Sequence, residues 1–503
     1  MFLKKVYKGM LINFICTFIP CIISFIVNKY FVEFMGIEYL GLMRLFTQLL
    51  AYLGIVEMGL GSASAYSLYK PLAEKDYRRL NIVISTISSL YKKIAFFILI
   101  MGLVLVPFLK FFIKDINITN MIILYWILYL TNTVLNYLFI KYNILFTANQ
   151  EYNFVRVVQA STRILSQILK IYVILRYKSF LLFISCILLE TGIQYLLFKK
   201  YYNKNYSFIK KTKIRDKIIV KNLKNLFFHR IGELVVFNTD LILISKFISL
   251  KTVGVYASYR MLIKLLKMSL NVITGVLSPM IGRFVAIHSD EENFNLWKKI
   301  NIVYVFMGVI GTYCFYELST DFVIIWIGKE NTFIKETVFL LSVNLYIIFI
   351  RCITEKFKNS YGFFDDIQLP ILESILNFSV SLILVIKIGL NGVIIGTIVS
   401  DIFVILILKP ILVFKRCFKK SIGCYARLYL NYIFLSIISI LLVSNIVNKY
   451  FDKNISDFYD WTLKGFEIFI LTTIISLLIF LSNNDFRKGI KNIFKDIFKE
   501  IKK

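Results

Sequence analysis

The sequence predicts an all-α integral membrane protein of about fourteen transmembrane helices, arranged as two pseudo-symmetric six-helix lobes with two peripheral helices at the C-terminal end. Three observations predict it. Of the 503 residues, 58% are apolar and the mean hydropathy is +0.72, a balance that no soluble domain of this length needs. Apolar stretches long enough to cross a bilayer recur along the chain with no soluble domain between them. A short pattern also occurs twice, once in each half.

Taken in order, the stretches fall at 10–33, 40–68, 82–109, 116–146, 154–175, 179–198, 222–248, 253–282, 300–318, 333–357, 367–387, 391–414, 427–448 and 462–482. The lead from Met1 to Lys8 is too short and too basic for a cleaved signal, so the run from Met10 to Phe31 stays as the first span. The hexapeptide "KIGLNG" separates the eleventh stretch from the twelfth. The last two, "NYIFLSIISILLVSNIVN" and "FEIFILTTIISLLIFL", are nearly all apolar, with Glu467 as their deepest charge. They are expected to pack outside a twelve-helix core. The expected divisions are residues 1–210 for the first lobe, 211–420 for the second, and 421–503 for the two extra helices and a basic amphipathic tail.

Lys and Arg alternate between the loops in the manner that orients membrane proteins. With Met1 in the cytoplasm, the inner set holds Lys4, Lys5 and Lys8, the group Lys70, Lys75, Arg78 and Arg79, the run "KKYYNKNYSFIKKTKIRDK" from Lys199, and "KRCFKK" from Lys415. The outer loops are short and nearly balanced, so both termini are expected to be cytoplasmic. The net charge of +30 reflects this bias and attraction to anionic lipids, and no nucleic-acid partner is implied. The tail "FRKGIKNIFKDIFKEIKK" spaces its apolar residues as a helix lying on the inner leaflet would. The seven cysteines form no CxxC pair and read as free core thiols, and His229 and His288 are too few and too separated for a metal site. No cofactor and no metal are expected.

The repeated pattern is "FMGIEYLGLMRLF" from Phe34 and "FISLKTVGVYASYRML" from Phe247. With Phe34 over Phe247, Gly41 falls on Gly254. Joined to the long basic loop at mid-chain, this suggests homologous lobes with a substrate site between repeats.

Charges inside the spans then become informative, because each costs roughly 2.5–3.5 kcal/mol at the bilayer centre and so faces a bundle interior or a wet cavity. In "RIGELVVFNTDLILISKFI", Arg230, Glu233 and Asp240 fall within an arc of about 80° on one helix face. Arg156, Gln159, Arg163, Gln167 and Lys170 form a second stripe. Arg260, Lys264, Lys267, Asn271 and Thr274 form a third, and Asn344, Arg351, Glu355 and Lys358 a fourth. Uncharged polar faces come from Asn13, Thr17, Ser24 and Asn28, and from Tyr125, Tyr129, Asn132 and Asn136. Cross-helix pairing or snorkelling accounts for Arg156, Arg230, Lys358 and Lys170, which lie near helix ends, better than for Arg163, Lys264 and Asp240. Since Glu233 and Asp240 can neutralise two cations at most, the expectation is a net cationic, anion-accepting cavity. Asp240 and Glu233 are also the candidates for ion coupling, and Glu57 in "VEMGLG" reads as a helix-packing carboxylate.

"GIEYLGLMRLF", "VEMGLGSASAYSLYKPLAEKD" from Val56 and "NTDLILISKFISLKTVGVYASY" from Asn238 together resemble the polysaccharide (O-antigen and capsule) flippases of the multidrug/oligosaccharidyl-lipid/polysaccharide exporter superfamily. The resemblance covers the whole core in topology, with its motifs confined to the first two and the seventh and eighth helices. It implies a bacterial inner-membrane protein that moves an undecaprenyl-pyrophosphate-linked oligosaccharide to the outer leaflet by alternating access. Its partners would be that lipid-linked oligosaccharide, membrane lipids, and a polysaccharide polymerase and glycosyltransferases. By the same resemblance Arg44 and Arg260 would grip the anionic head group, with Arg163, Lys170, Lys264, Lys267 and Arg351 as further candidates. Tyr125, Tyr129, Asn132 and Asn136 would meet the glycan. Members that flip the peptidoglycan precursor carry cavity arginines in the first helix, where this chain has only uncharged polar residues, so that substrate fits less well.

Two other classes stay open. A multidrug exporter of the same fold would want carboxylates for cationic drugs. A membrane glycan polymerase or ligase would need a large outer loop, and every expected outer loop is short. No paired carboxylates, nucleophile constellation, phosphate-cradling loop or metal spacing supports catalysis, so a non-enzyme is expected.

Overall fold

The structure, a computed structural model, describes residues 2–57, 60–114, 119–216, 239–363, 366, 368–450, 455 and 457–489. Every regular element among them is helical. In chain order the main helices are α1 (Phe2–Met35), α2 (Ile37–Leu53), α3 (Leu60–Ala73), α4 (Tyr77–Val104), α5 (Asn120–Ala148), α6 (Tyr152–Tyr177), α7 (Phe180–Asn205), α8 (Asp240–Phe247), α9 (Leu250–Ile287), α10 (Asp290–Ile327), α11 (Lys335–Ser360), α12 (Gln368–Ile388), α13 (Leu390–Arg416), α14 (Ile422–Tyr450) and α15 (Phe458–Phe480). Ten helices among the described residues are long and apolar enough to cross a membrane. The chain is thus a multi-pass membrane protein, and helices are what a bilayer admits, since each satisfies its own backbone.

The helices begin where the side chains can cap them. Asp76 accepts from the Arg79 amide at 2.9 Å, Thr119 and Ser179 cap α5 and α7, and Ser289 with Glu292 forms a reciprocal capping box at α10. The expected span over 40–68 is broken: α2 ends in a 3₁₀ turn, Gly54–Glu57, before α3 begins. The "KIGLNG" break falls at Gly389, whose φ of +61° ends α12 and lets α13 start. Within α13, residues Asp401–Leu408 form a π-helical segment, a feature that frequently marks functional positions. Of the expected span at 222–248, only α8 lies within the described residues, so Arg230 and Glu233 fall outside them.

Two compact units are present. The first comprises residues 1–234 and 244–254, the second 235–243 and 255–503. In the first, α1 packs on α6, α4 on α5, and α7 on both α5 and α6. Aromatic residues key these contacts. Phe31 meets Phe183 at 4.7 Å, Phe46 meets Trp126 edge-on at 5.2 Å, and the Trp126 indole N–H donates to the Gly102 carbonyl at 2.8 Å. In the second unit α10 packs on α11, α12 on α13, and α15 on α10 and α14. Trp297 is fully buried among Phe294, Phe414 and Phe418 and donates to Thr354 Oγ1 at 3.3 Å. The last two helices seat Val443, Val447 and Ile468 against Tyr313 and Leu318 of α10, and Lys464 reaches Asp321 at 3.0 Å.

The sequence repeat has a direct structural counterpart inside the first unit. A Cβ added to Gly41 would overlap the Leu250 carbonyl oxygen, with the carbonyl carbon at 2.9 Å and the Gly254 amide nitrogen at 3.1 Å. A Cβ added to Gly254 would overlap the Ile37 carbonyl oxygen, with Ile37 Cγ1 at 2.9 Å. The offset that aligns Gly41 with Gly254 also aligns Ile37 with Leu250, so the close crossing of α2 and the start of α9 is locally two-fold. Only glycine at both positions permits backbones this near.

Candidate functional site

In the second unit a cavity of about 110 Å³ collects polar groups from α8, α9, α11, α12 and α13. From α9 come Tyr256, Arg260 and Lys267, at the helical spacing that puts them on one face. Asp240 on α8 is buried and accepts from the Tyr256 hydroxyl at 2.9 Å and from Arg260 Nη1 at 3.2 Å. Opposite them, Arg351 of α11 approaches Asp401 of α13 at 3.5 Å, and Asn344 donates to the same carboxylate at 3.3 Å. Glu373, Asn377, Thr397 and Ser400 complete the polar lining, with Asn377 donating to Thr397 at 3.0 Å.

The charges around this cavity are three cations, Arg260, Lys267 and Arg351, and three carboxylates, Asp240, Glu373 and Asp401. The expectation of a net cationic cavity is therefore corrected here. Burying an unpaired charge is far costlier than burying a pair, and the fold pairs Arg260 with Asp240 and Arg351 with Asp401. Asp401 and Glu373 each stand as a lone carboxylate in an apolar run, so neither belongs to a charged stripe. The signal was nevertheless present: Glu373 with Asn377, and Thr397 with Ser400 and Asp401, recur at helical spacing inside spans where a single charge is already unusual. Lys267 makes no hydrogen bond or ion pair among the described residues, although Arg260, Arg351 and Asp401 all lie within its electrostatic range. Lys264 is exposed and does not line the cavity. Further along α11, Glu355 accepts from Lys409 at 2.9 Å and Lys358 pairs with Asp366 at 2.6 Å, so these charges are paired across or beyond the helix.

The first unit holds a separate group of cations. Arg44 of α2, Arg163 and Lys170 of α6, and Tyr129 of α5 are electrostatic neighbours, with Glu190 of α7 the carboxylate near Lys170. The Lys170 ammonium lies 5.5 Å from the centre of the Phe183 ring. Arg163 is exposed and makes no hydrogen bond or ion pair among the described residues. Two groups here are buried with no hydrogen-bond partner in the structure, Arg44 Nε and the Tyr129 hydroxyl. An unsatisfied buried donor costs roughly 1–3 kcal/mol, and an incoming oxygen ligand would recover that.

The α5 stripe is largely engaged within its own unit. Tyr125 is buried edge-on against Phe180 at 4.6 Å, Tyr129 against Phe46 at 5.9 Å, and Asn132 Oδ1 accepts from Thr191 at 2.7 Å, while Asn136 bonds back to the Asn132 carbonyl. Gln167 donates to the Pro20 carbonyl at 2.9 Å, tying α6 to α1. Glu57 accepts from the Tyr91 hydroxyl at 3.0 Å, which ties the turn after α2 to α4.

Comparison with known proteins follows from this geometry. The sequence profile of the family described as "Polysaccharide biosynthesis protein" matches residues 6–285. No curated protein shows a significant sequence match to the chain. Among solved structures, the chain is similar to a lipid II flippase MurJ in an inward closed conformation, with a TM-score of 0.68 and 13% identity over 94% of this chain and 99% of that one. It is also similar to an inward-facing multidrug resistance MATE family transporter of the MOP superfamily, with a TM-score of 0.60 and 13% identity over 80% of this chain and 98% of the other. At these identities the likeness establishes the fold, which is that of the MurJ and MATE transporters.

Proposed function

From the premise that this chain belongs to the polysaccharide biosynthesis protein family, we propose that it is a flippase carrying a lipid-linked oligosaccharide across the cytoplasmic membrane by alternating access. Both termini would lie in the cytoplasm, and the cargo would be the undecaprenyl-pyrophosphate-linked precursor of a surface polysaccharide such as capsule or O-antigen. The observation that carries this reading is the cluster in the first unit. Among the described residues, Arg44, Arg163 and Lys170 have Glu190 as their neighbouring carboxylate, and both Arg44 Nε and the Tyr129 hydroxyl are buried without hydrogen-bond partners. A pyrophosphate offers oxygens and negative charge together, and guanidinium and ammonium groups bind it through charge-assisted hydrogen bonds.

In the second unit, Arg260, Lys267 and Arg351 would receive the same kind of group by exchanging Asp240 and Asp401 for phosphate oxygens. Asp240, joined to Tyr256 and Arg260, is the carboxylate we assign to ion coupling, because it is buried and would lose its cation partner were Arg260 to turn to the substrate.

A second reading, export of cationic compounds, is favoured by one specific feature, the three carboxylates Asp240, Glu373 and Asp401 in one cavity. The two readings separate in cells. Loss of a flippase leaves lipid-linked oligosaccharide on the inner leaflet and strips surface glycan, and Arg163→Glu at normal abundance reproduces that loss while Arg163→Lys does not. Cells that lack the protein, keep their surface glycan and become sensitive to cationic dyes would overturn the flippase reading.

A further inference from the structure

A second charged cavity, unconnected with the residues above, lies at the other end of the first unit. Its volume is about 310 Å³, and it is lined by Lys92 of α4, Lys141 of α5, and Lys210, Lys211 and Arg215 of the segment that follows α7. No carboxylate appears among the described residues of its lining. Lys92 and Lys211 are the charged neighbours of Lys141, so like charges face one another across the space. Lys141 lies twelve residues beyond Tyr129 on α5, about 18 Å along the helix axis at 1.5 Å per residue.

The segment carrying three of these cations is fixed in place by its backbone. The Lys210 amide donates to Asn81 Oδ1 at 2.8 Å, the Thr212 amide to Ser85 Oγ at 3.0 Å, and the Asp216 amide to Thr86 Oγ1 at 2.9 Å. Arg79 closes the far end on Asp216 at 2.6 Å. Asn81, Ser85 and Thr86 thus form a docking edge on α4 that holds the basic segment against the helix. This anchoring uses backbone amides, which leaves the lysine ammonium groups for something else. Among the described residues, Lys92, Lys210 and Lys211 make no side-chain hydrogen bond or ion pair, and Arg215 bonds only to the Thr212 and Ile214 carbonyls of its own turn. Ser88 and Ser89 add hydroxyls to the wall, while Ile84 and Ile209 add apolar surface.

Five cations are brought together with no counter-ion among the described lining residues, and Lys92, Lys210, Lys211 and Arg215 are exposed and so open to an incoming anion. The hydroxyls and amine donors suit phosphate oxygens, and the two isoleucines suit the ester carbons beside them. Position agrees with this, because the segment is part of the basic run expected on the cytoplasmic face, where anionic head groups concentrate. We infer that this cavity is a binding site for a phosphate-bearing anion, the head group of an anionic phospholipid or a soluble diphosphate, held by Lys92, Lys141 and Lys211. It is separate from the proposed transport site and does not depend on which substrate is carried.

The test uses the purified full-length protein in detergent. Dioleoylphosphatidylglycerol retention is read by native mass spectrometry with dioleoylphosphatidylcholine as the uncharged comparison, and inorganic diphosphate binding is read by calorimetry. Wild type should retain one of the two anionic probes in preference to phosphatidylcholine, and raising salt should release it. Retention of phosphatidylglycerol alone identifies a lipid head-group site, and binding of diphosphate alone identifies a soluble-anion site. The K92Q/K141Q/K211Q variant should bind the preferred probe at least about tenfold more weakly, given the attraction each surface lysine exerts on an anionic phosphate. K92R/K141R/K211R should bind within about threefold of wild type by keeping the charge, and K329Q/K335Q/K387Q, which removes three exposed lysines elsewhere, should match it. If the glutamine variant does not fold, the arginine variant and the wild-type salt titration still decide. The inference fails if wild type prefers neither probe over phosphatidylcholine, or if the two glutamine variants weaken binding equally.

Discussion

Reversing the charge at Arg260 tests whether this residue serves the substrate or only its neighbour Asp240. Two unit charges about 4 Å apart attract by about 4 kcal/mol at an effective dielectric near 20. The pair here is 3.2 Å apart, but the Arg260 side chain is 38% exposed and the Asp240 side chain 10%, so solvent screening reduces the net attraction to about 1–2 kcal/mol. Arg260→Glu removes that attraction and adds a repulsion of similar size, a swing of about 2–4 kcal/mol and therefore one to three decades in any equilibrium it governs. The order of transport at position 260 should be Arg, then Lys, then Ala, then Glu, with abundance held equal. The informative variant is the swap, Asp240→Arg with Arg260→Glu. It restores the pair, so thermal stability in detergent should recover most of the loss, as a coupled pair in a double-mutant cycle does. Export of lipid-linked oligosaccharide, followed as surface glycan, should stay low because the cation that meets the head group has moved. Full recovery of surface glycan in the swap would refute a head-group role and leave Arg260 as a structural ion pair.

Other predictions follow from single features. Gly41→Ala and Gly254→Ala each place a methyl against a carbonyl across the α2–α9 crossing, so each should cost about 1–3 kcal/mol, read as a lower thermal midpoint; an unchanged midpoint for both would show that the crossing is looser than described. Asp401→Asn removes the buried partner that Arg351 meets at 3.5 Å, and should lower stability by about 1–3 kcal/mol while strengthening diphosphate binding to the second unit; loss of stability without that gain would mean Arg351 is not available to anions. Reporter fusions after Asn205 and at the C-terminus should read cytoplasmic, and one in the connection between α14 and α15 external; a cytoplasmic signal at that connection would remove the fourteen-span topology.

Helix identity was legible because hydropathy and span length respond to the bilayer alone, a solvent that admits few alternatives. Breaks were less so. The 3₁₀ turn at Gly54–Glu57 interrupts a run that reads as one continuous span, since one glycine and one carboxylate do not by themselves end a helix and the bond from Tyr91 to Glu57 is tertiary. The repeat was legible at Gly41 and Gly254 for a physical reason: a backbone-to-backbone crossing tolerates no side chain, so the requirement falls on residue identity itself. The stripes identified Arg163, Arg260, Lys267 and Arg351 as polar-facing and the family resemblance added Arg44; Arg44 and Arg163 fall in one group and Arg260, Lys267 and Arg351 in another. Their counter-ions were not legible. Asp401 and Glu373 each occur once in a span, and pairing depends on which helices are neighbours, a tertiary property that periodicity along one helix does not contain.

Those two carboxylates change how the second-unit cavity must work. Among the described residues Asp240, Asp401 and Glu373 equal the lining cations in number, and Arg260 and Arg351 are already partnered. An anionic head group therefore gains no full charge–charge attraction on binding; it gains the difference between its own phosphate oxygens and the carboxylates it displaces. The contact most open to displacement is Arg351–Asp401, at 3.5 Å, since a charge-assisted bond of this kind is normally 2.7–2.9 Å. Lys267, within electrostatic range of both arginines and bonded to neither carboxylate, offers a first foothold. Exchange of partners has a consequence that a bare cationic pocket lacks. On the proposed function, substrate would draw Arg260 and Arg351 away from Asp240 and Asp401, and a buried carboxylate stripped of its cation is costly unless another positive charge replaces it. Paired charge in the cavity would then link binding of an anion to uptake of a positive charge, and such a linkage would let a gradient drive the proposed transport.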